Sequence, residues 1–282
     1  MNLTFTLSNH AETGHGSVLD IIMPLMAGFK ELGHTIYMDD DWDREGLLVL
    51  TDHFPNQVAD RVKALQRPYA VIQSELVTGN TFNNETMFSR RYDGFMRVCE
   101  DAQFVIYLVG ETNVQCPAFK AELGYTHFME EEESIDKEFD LCFFGTHSMK
   151  RQQTMEILSD LGSKVAYCQN VSTQKRNEIL RKSRWNLGMK PHWDVRFPSV
   201  TRINAALHCG TPTIYENCES DTLVGSIPLT HDGRGSFVDW VDSVVKNRRL
   251  ELEEKDRQVA EFKKIPVAAQ LKAGLESIKY EI

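Results

Sequence analysis

The sequence predicts an α/β protein built as two parallel-sheet domains. Three observations carry that prediction. Short apolar runs alternate with amphipathic stretches along most of the 282 residues, and this rhythm breaks once, at the acid-rich run "MEEEESIDKEFD", before restarting. The length also suits two domains of roughly 130 to 150 residues each. Apolar strands alternating with amphipathic helices imply βαβ units covered on both faces of their sheets.

Element by element, "NLTFTLS" reads as a first strand and the amphipathic stretch from Ser17 to Leu32 as a helix. "HTIYMDD" and "GLLVLTD" read as strands, "NQVADRVKALQ" as a helix and "YAVIQSE" as a further strand. A helix in "ETMFSRRYDGFMRVCEDA" leads into the strand "QFVIYLV". After the acidic run come strand "DLCFFGT", helix "KRQQTMEILSDLG", strand "KVAYC", helix "STQKRNEILRKS", strand "RWNLGMK", helix "VTRINAALHCG" and strand "PTIYE". The remainder from "FVDWVDSVVK" onward reads as helices. The expected division is a domain over 1–128, a solvated linker over 129–139, a second domain over 140–265, and a C-terminal helix over 266–282 that packs back on the first domain. Two Rossmann-like domains facing across a cleft are the expected architecture.

Bulk properties narrow the class. An apolar fraction of 41% and a charged fraction of 26% are those of an ordinary globular chain. No apolar run approaches the ~20 residues that span a bilayer, so no membrane span is expected. The opening "MNLTFTLSNH" lacks the basic start of a signal peptide, and a cytoplasmic location follows as the expectation. The six cysteines show no paired zinc spacing and read as reduced, mostly buried thiols. A net charge of −10 argues against a nonspecific polyanion binder, although one basic cleft on an acidic body is compatible with it.

Two stretches carry phosphate-binding signals. In "SNHAETGHGSVLD", Gly14 and Gly16 permit a tight turn and close backbone approach at a helix N-terminus. A dinucleotide fingerprint wants a third glycine where this chain has Leu19, though acids do follow at the end of strand two, Asp39 to Asp41. The second stretch is richer. Between Lys175 and Arg202 stand eight basic residues and two acids, a local reversal of sign. Those on the helix from Lys175 to Arg184 read as a solvated face, whereas Lys190, Arg196 and Arg202 flank the loop "KPHWDVRFPS" at a strand's carboxyl end, where open α/β sheets bind ligands. Ser199 and Thr201 offer hydroxyls and free N–H groups to phosphate oxygens, and Arg202 adds a guanidinium fork. Glu216, at the end of the next strand, is placed to accept both hydroxyls of a ribose. His192 and Trp193 are candidates to stack on a base or sugar, with burial as the alternative.

"RINAALHCGTPTIYE" resembles the helix, Gly-x-Pro turn, strand and acid of the carboxyl-terminal half of GT-B glycosyltransferases, in their spore-maturation-like branch. "GHGSVLDIIMPLMAGFKELGHTIYMD" and "FFGTHSMKRQQTMEILSDLG" are similar to segments that open the two domains of that fold. The chain departs from the pattern at Ala205, where the family has a glutamate. The resemblance implies a nucleotide-sugar donor as co-substrate on the second domain, an acceptor on the first, and no obligatory metal. Lys150, Arg151, Arg196 and Arg202 would neutralise the leaving diphosphate. Size and layout also resemble the phage enzymes that glycosylate hydroxymethylated DNA bases. Modified DNA, a glycan and a protein therefore all stand as acceptors.

Inverting transfer needs a base from the first domain. Glu75 in "IQSELVTGN" is the first candidate, with a surface or capping role as the alternative; Asp20 and His15 beside the glycine loop follow, then Glu111. Retaining transfer needs none of them. Two rivals remain: an NAD-dependent oxidoreductase using "TGHGSVL" and Asp39, and a nucleotide- or sugar-binding module without catalysis.

Overall fold

A computed structural model of the chain describes residues 1–7, 16–39, 41–54, 56–82, 89–132, 136–169, 171–190 and 195–281. The chain divides into two compact units, Met1–Leu123 together with Pro266–Ile282, and Gly124–Ile265.

Unit 1 comprises β1 (Asn2–Phe5), α1 (Gly16–Glu31), β2 (Thr35–Met38), β3 (Leu47–Thr51), α2 (Asn56–Lys63), β4 (Tyr69–Gln73), the short antiparallel pair β5 (Val77–Thr78) and β6 (Thr81–Phe82), α3 (Ser89–Cys99), β7 (Val105–Tyr107) and β8 (Ala118–Lys120). Its main sheet runs β2-β1-β3-β4-β7-β8, every pairing parallel. β3 and β4 are buried at every position, which is why their apolar runs show no alternation. One face packs Leu48, Leu50, Val71 and Val105 against Phe82, Phe95 and Val98.

Unit 2 comprises β9 (Phe139–Phe144), α4 (Met149–Asp160), β10 (Val165–Cys168), α5 (Thr173–Arg181), β11 (Ser183–Gly188), α6 (Val200–His208), β12 (Thr213–Tyr215), β13 (Leu229–Thr230), α7 (Phe237–Lys246) and α8 (Arg248–Lys263). Its sheet is again wholly parallel, in the order β10-β9-β11-β12-β13. Each of these units is a Rossmann-like sheet with helical connections. Serines start three of the helices: Ser148, Ser172 and Ser236 accept from the backbone N–H of Arg151, Lys175 and Asp239.

The final helix α9 (Val267–Ser277) belongs to unit 1 and lies against α1. Gly28 makes that approach close, since a Cβ there would stand 2.9 Å from both Leu271 and Val267.

Unit 2 begins at Gly124, earlier than the expected boundary, and the described parts of the acidic run keep exposed acids while their backbone is tied to unit 2. Glu131 N–H donates to His208 O, and Glu138 and Phe139 N–H both donate to Lys182 O. Its acids also find bases: Glu130 pairs with Lys263 at 2.6 Å and Glu138 with Lys182 at 2.8 Å. The described acids are solvated, as composition suggests, and surface ion pairs and backbone hydrogen bonds hold them on unit 2. β8, β13 and the β5–β6 pair also lie outside the predicted strands, being too short to show a period.

Candidate functional site

The carboxyl ends of β9, β11 and β12 in unit 2 converge on a cationic cradle. Arg151, in the first turn of α4, is 1% exposed. Its guanidinium donates to Thr146 O at 2.9 Å, Thr146 Oγ1 at 3.0 Å and Met189 O at 2.7 Å. Arg202, in the first turn of α6, donates to the same Met189 carbonyl at 3.4 Å. Both guanidiniums lie 5.2 Å from the ring centroid of Phe143. Among the described residues neither has a carboxylate partner, because Glu216 is engaged by Lys150. Burial, followed by the charge of Arg202, pulls the Arg151 guanidinium down to about 10. Burial likewise lowers Arg202. Two desolvated like charges that no carboxylate contacts among the described residues, with only the field of Glu216 on Arg151, are an arrangement that an anion would complete.

Gly145, with φ of +147°, leaves room for this. A Cβ at that position would fall 2.3 Å from Arg202 Nη2. Gly188 does the same for Tyr215, whose ring would meet a Cβ at 2.0 Å. The Tyr215 hydroxyl in turn accepts the Ser199 N–H at 2.9 Å, and burial raises its pKa above the ordinary tyrosine value. Ser199 therefore offers its hydroxyl rather than its amide. That hydroxyl and the Thr201 hydroxyl are 3.0 Å apart and do not cap α6, whose Val200 and Thr201 N–H groups precede the helical ladder while those of Arg202 and Ile203 donate to Ser199 O.

Glu216 is 7% exposed and held at both oxygens. Oε1 accepts from Lys150 Nζ at 2.5 Å and Oε2 from the Lys190 backbone N–H at 3.0 Å. Each oxygen keeps one lone pair for a further donor. Lys190 contributes its backbone here, not its ammonium.

The structure thus brings Lys150, Arg151, Lys190, Ser199, Thr201, Arg202 and Glu216 to one end of one sheet. Arg196 is not among them. It is exposed, pairs with Glu219 at 2.6 Å and covers Phe197, so the expected fourth cation of the cradle is a surface ion pair. Gly14, His15, His192 and Trp193 lie outside the described residues; Gly16 is the first residue of α1, and Asp20, one turn further, is half-buried. Asp39 is taken by Arg44 at 2.7 Å. Residues that sequence reading did not single out are Phe143, Gly145, Met189 and Tyr215. Only Gly145 carried a signal, as the glycine after the apolar strand "FDLCFF".

In unit 1, Glu75 follows β4 and is half-buried. Its N–H donates to Asp52 Oδ2 at 3.0 Å, and its carbonyl accepts from Gln73 Nε2 at 3.3 Å. The Arg91 guanidinium stands 3.7 Å from its Oε1. Glu111 is exposed and reaches this cluster through its carbonyl, which accepts from Gln73 at 3.2 Å. Among the described residues no group of three or more His, Cys, Asp or Glu is placed to hold a metal ion, and no helix is long and apolar enough to cross a membrane.

Fold and cradle together define a doubly wound, two-unit α/β protein with paired cations at the strand ends of its second unit. No protein-family model matches the chain, and a search of curated proteins returns no match. Solved structures do match. An α-glucosyltransferase in complex with UDP and a 13-mer DNA containing an HMU base has a TM-score of 0.64 at 9% identity, covering 99% of each chain. T4 phage BGT in complex with its UDP-glucose substrate has a TM-score of 0.59 at 9% identity, again covering 99% of each. AviGT4, a glycosyltransferase involved in avilamycin A biosynthesis, has a TM-score of 0.55 at 14% identity, covering 99% of this chain and 98% of its own. The chain has the GT-B fold.

Proposed function

We propose that the chain is a glycosyltransferase that passes a sugar from a UDP-sugar to an acceptor hydroxyl. One observation carries this reading: the two guanidiniums of buried Arg151 and half-buried Arg202, which share Phe143 and lack a carboxylate partner among the described residues. A diphosphate matches them in charge and in the fork geometry of its oxygens. Beside them lie the hydroxyls of Ser199 and Thr201, the N-terminus of α6, and a carboxylate, Glu216, suited to a ribose diol. The bound UDP and UDP-glucose of the structural neighbours support the same donor class.

In the reaction, the acceptor hydroxyl attacks the anomeric carbon while the bond from that carbon to the β-phosphate oxygen breaks. The electron pair leaves with UDP, whose growing negative charge Arg151 and Arg202 stabilise. If the transfer inverts, the acceptor proton goes to a general base, and Glu75 of unit 1 is our candidate for it. Since two fixed cations already face the leaving group, transfer is expected to persist within about twofold in excess EDTA. An absolute requirement for Mn²⁺ would refute that expectation.

Titrating the protein with UDP, UDP-hexoses and NAD in a thermal-shift assay tests the reading. A UDP-sugar at 100 times its Kd adds about 2.7 kcal/mol of stability and raises Tm. A shift with NAD alone transfers the case to an oxidoreductase, and tight binding of UDP-sugars with no UDP release transfers it to a binding module. Within this site, Gly145→Ala is expected to push the Arg202 fork aside. UDP affinity should fall about tenfold, or 1.4 kcal/mol, while the left-handed backbone adds roughly 1 kcal/mol of strain; calorimetry with UDP reads the first and denaturant unfolding the second.

For the acceptor, the DNA bound by the α-glucosyltransferase neighbour supports a hydroxymethylated base. One feature of this chain favours a glycan instead: unit 1 carries 19 acidic and 11 basic residues. Salt separates the two, because affinity for a DNA acceptor falls steeply between 50 and 200 mM salt, as is general for phosphate contacts.

A further inference from the structure

Asp52 is the most completely buried carboxylate described in unit 1, at 0% exposure, and the reading of the cradle makes no use of it. It follows β3 directly. Oδ2 accepts the backbone N–H of Ser74 at 2.7 Å and of Glu75 at 3.0 Å, and Oδ1 accepts the Ser74 hydroxyl at 3.0 Å. Arg91, on α3, reaches Asp52 Oδ1 at 3.4 Å, and its Nε donates to the Asp52 carbonyl at 3.4 Å. The same guanidinium lies over the Phe82 ring, 5.1 Å from its centroid, and faces Glu75 Oε1. Gln73, also 0% exposed, ties the Glu75 and Glu111 carbonyls together.

Burying a carboxylate and a guanidinium costs several kcal/mol before pairing. Closing a strand-to-loop turn does not need it, since a serine or asparagine caps a turn at lower cost. What the ion pair adds is a fixed frame. Every constraint in it converges on one residue: Glu75 is held by its amide through Asp52, by its carbonyl through Gln73 and at its carboxylate by Arg91.

We propose that Asp52 and Arg91 are a positioning pair that holds the Glu75 carboxylate in place to take the acceptor proton. The proposal rests on Glu75 being the base of the transfer. Neither residue touches substrate. Arg91 sets where the carboxylate points, and Asp52 anchors both Arg91 and the Ser74–Glu75 backbone. Glu75 itself is 34% exposed at its side chain, open enough to meet an acceptor.

Single-turnover UDP release from UDP-glucose, with duplex DNA containing hydroxymethylated bases as the acceptor probe and the whole chain as enzyme, supplies the test. Glu75→Gln is made first. If it turns over within twofold of wild type, Glu75 is not the base, and that reading falls together with this one. If it drops the rate about 100-fold or more, the pair is then judged on its own. Asp52→Asn and Arg91→Met are expected to slow release by 10- to 100-fold at a temperature where both variants remain folded, with donor Kd unchanged. Combining either with Glu75→Gln should slow it no further than Glu75→Gln alone, because all three act through one group. Guanidinium ion at millimolar concentration should restore part of the rate to Arg91→Gly.

An independent reading needs no turnover. In Asp52→Asn, hydrogen exchange at the Ser74 and Glu75 amides should quicken by 10-fold or more while the β3 and β4 amides stay protected. Rates that multiply in the double variants, or losses that follow Tm and ignore guanidinium, would mean the pair merely stabilises unit 1 and would overturn the proposal.

Discussion

Arg202→Met should cost UDP affinity about 30-fold or more, ~2 kcal/mol, without lowering Tm. An arginine that serves only the fold behaves the other way, since its loss strands its partners and destabilises the protein. Arg202 has little to strand: the Met189 carbonyl at 3.4 Å, already served by Arg151 at 2.7 Å, and the Tyr215 hydroxyl, which the Ser199 N–H also reaches. What it does have is a like-charged neighbour across Phe143, whose guanidinium it helps to depress. Replacing it by methionine keeps the stack on Phe143 and removes that repulsion.

The pH dependence carries the same sign. Arg151 in the native state titrates at about 10, below its unfolded value. Its charge therefore penalises the native state fully below that pH, and the penalty disappears as pH rises through it. In the variant, the titration should move up towards the ordinary arginine value and the penalty should shrink. Calorimetry with UDP and thermal melts at neutral pH check both halves. A lower Tm together with unchanged UDP affinity would assign Arg202 to the fold.

Removing residues 266–282 should unfold unit 1. Val267 and Leu271 are fully buried and Leu275 is 5% exposed, so each contributes about 1.5 to 3 kcal/mol of burial. The segment also covers aromatic residues of the sheet. A Cβ on Gly274 would stand 2.0 Å from the Phe119 ring, and Tyr280 meets Phe104 edge-on at 4.8 Å. Together these approach the whole ~5–15 kcal/mol by which a domain is stable. Limited proteolysis should then cut within 1–123 while a fragment near 124–265 survives, and the single change Leu271→Ala should cost about 2–5 kcal/mol. A truncated chain as protease-resistant as the parent would show that α9 is dispensable.

What the sequence made legible was local. The stretch from Ser199 to Glu216 keeps helix, turn, strand and acid within eighteen residues, so its geometry could be read from spacing. Pairings across the chain were not available in that way. Arg196 and Arg151 look alike on paper. One meets Glu219 in solvent, whereas the other is drawn under Met189, 38 residues away. Composition shows the acidic run as solvated, which its described acids are, but does not reveal that α5 and Lys263 lie opposite it. Asp52, at the end of an apolar strand, gave no sign that Ser74, Glu75 and Arg91 would converge on it. The two donors that orient Glu216 belong to Lys150, which the family resemblance places on the diphosphate, and to the Lys190 backbone, a pairing that spacing along the chain does not reveal.

Both chain ends lie in unit 1, and unit 2 is entered and left at neighbouring backbones, Tyr125 N–H donating to Ile265 O at 2.8 Å. Tension applied between the two ends would therefore pass through unit 1 first, peeling β1 or α9, while unit 2 stays slack inside the loop that unit 1 closes. The order of mechanical failure is written into the threading: unit 1 gives way before any force reaches the cradle. A pulling trace would show two steps in that invariant order, and UDP would lift only the second.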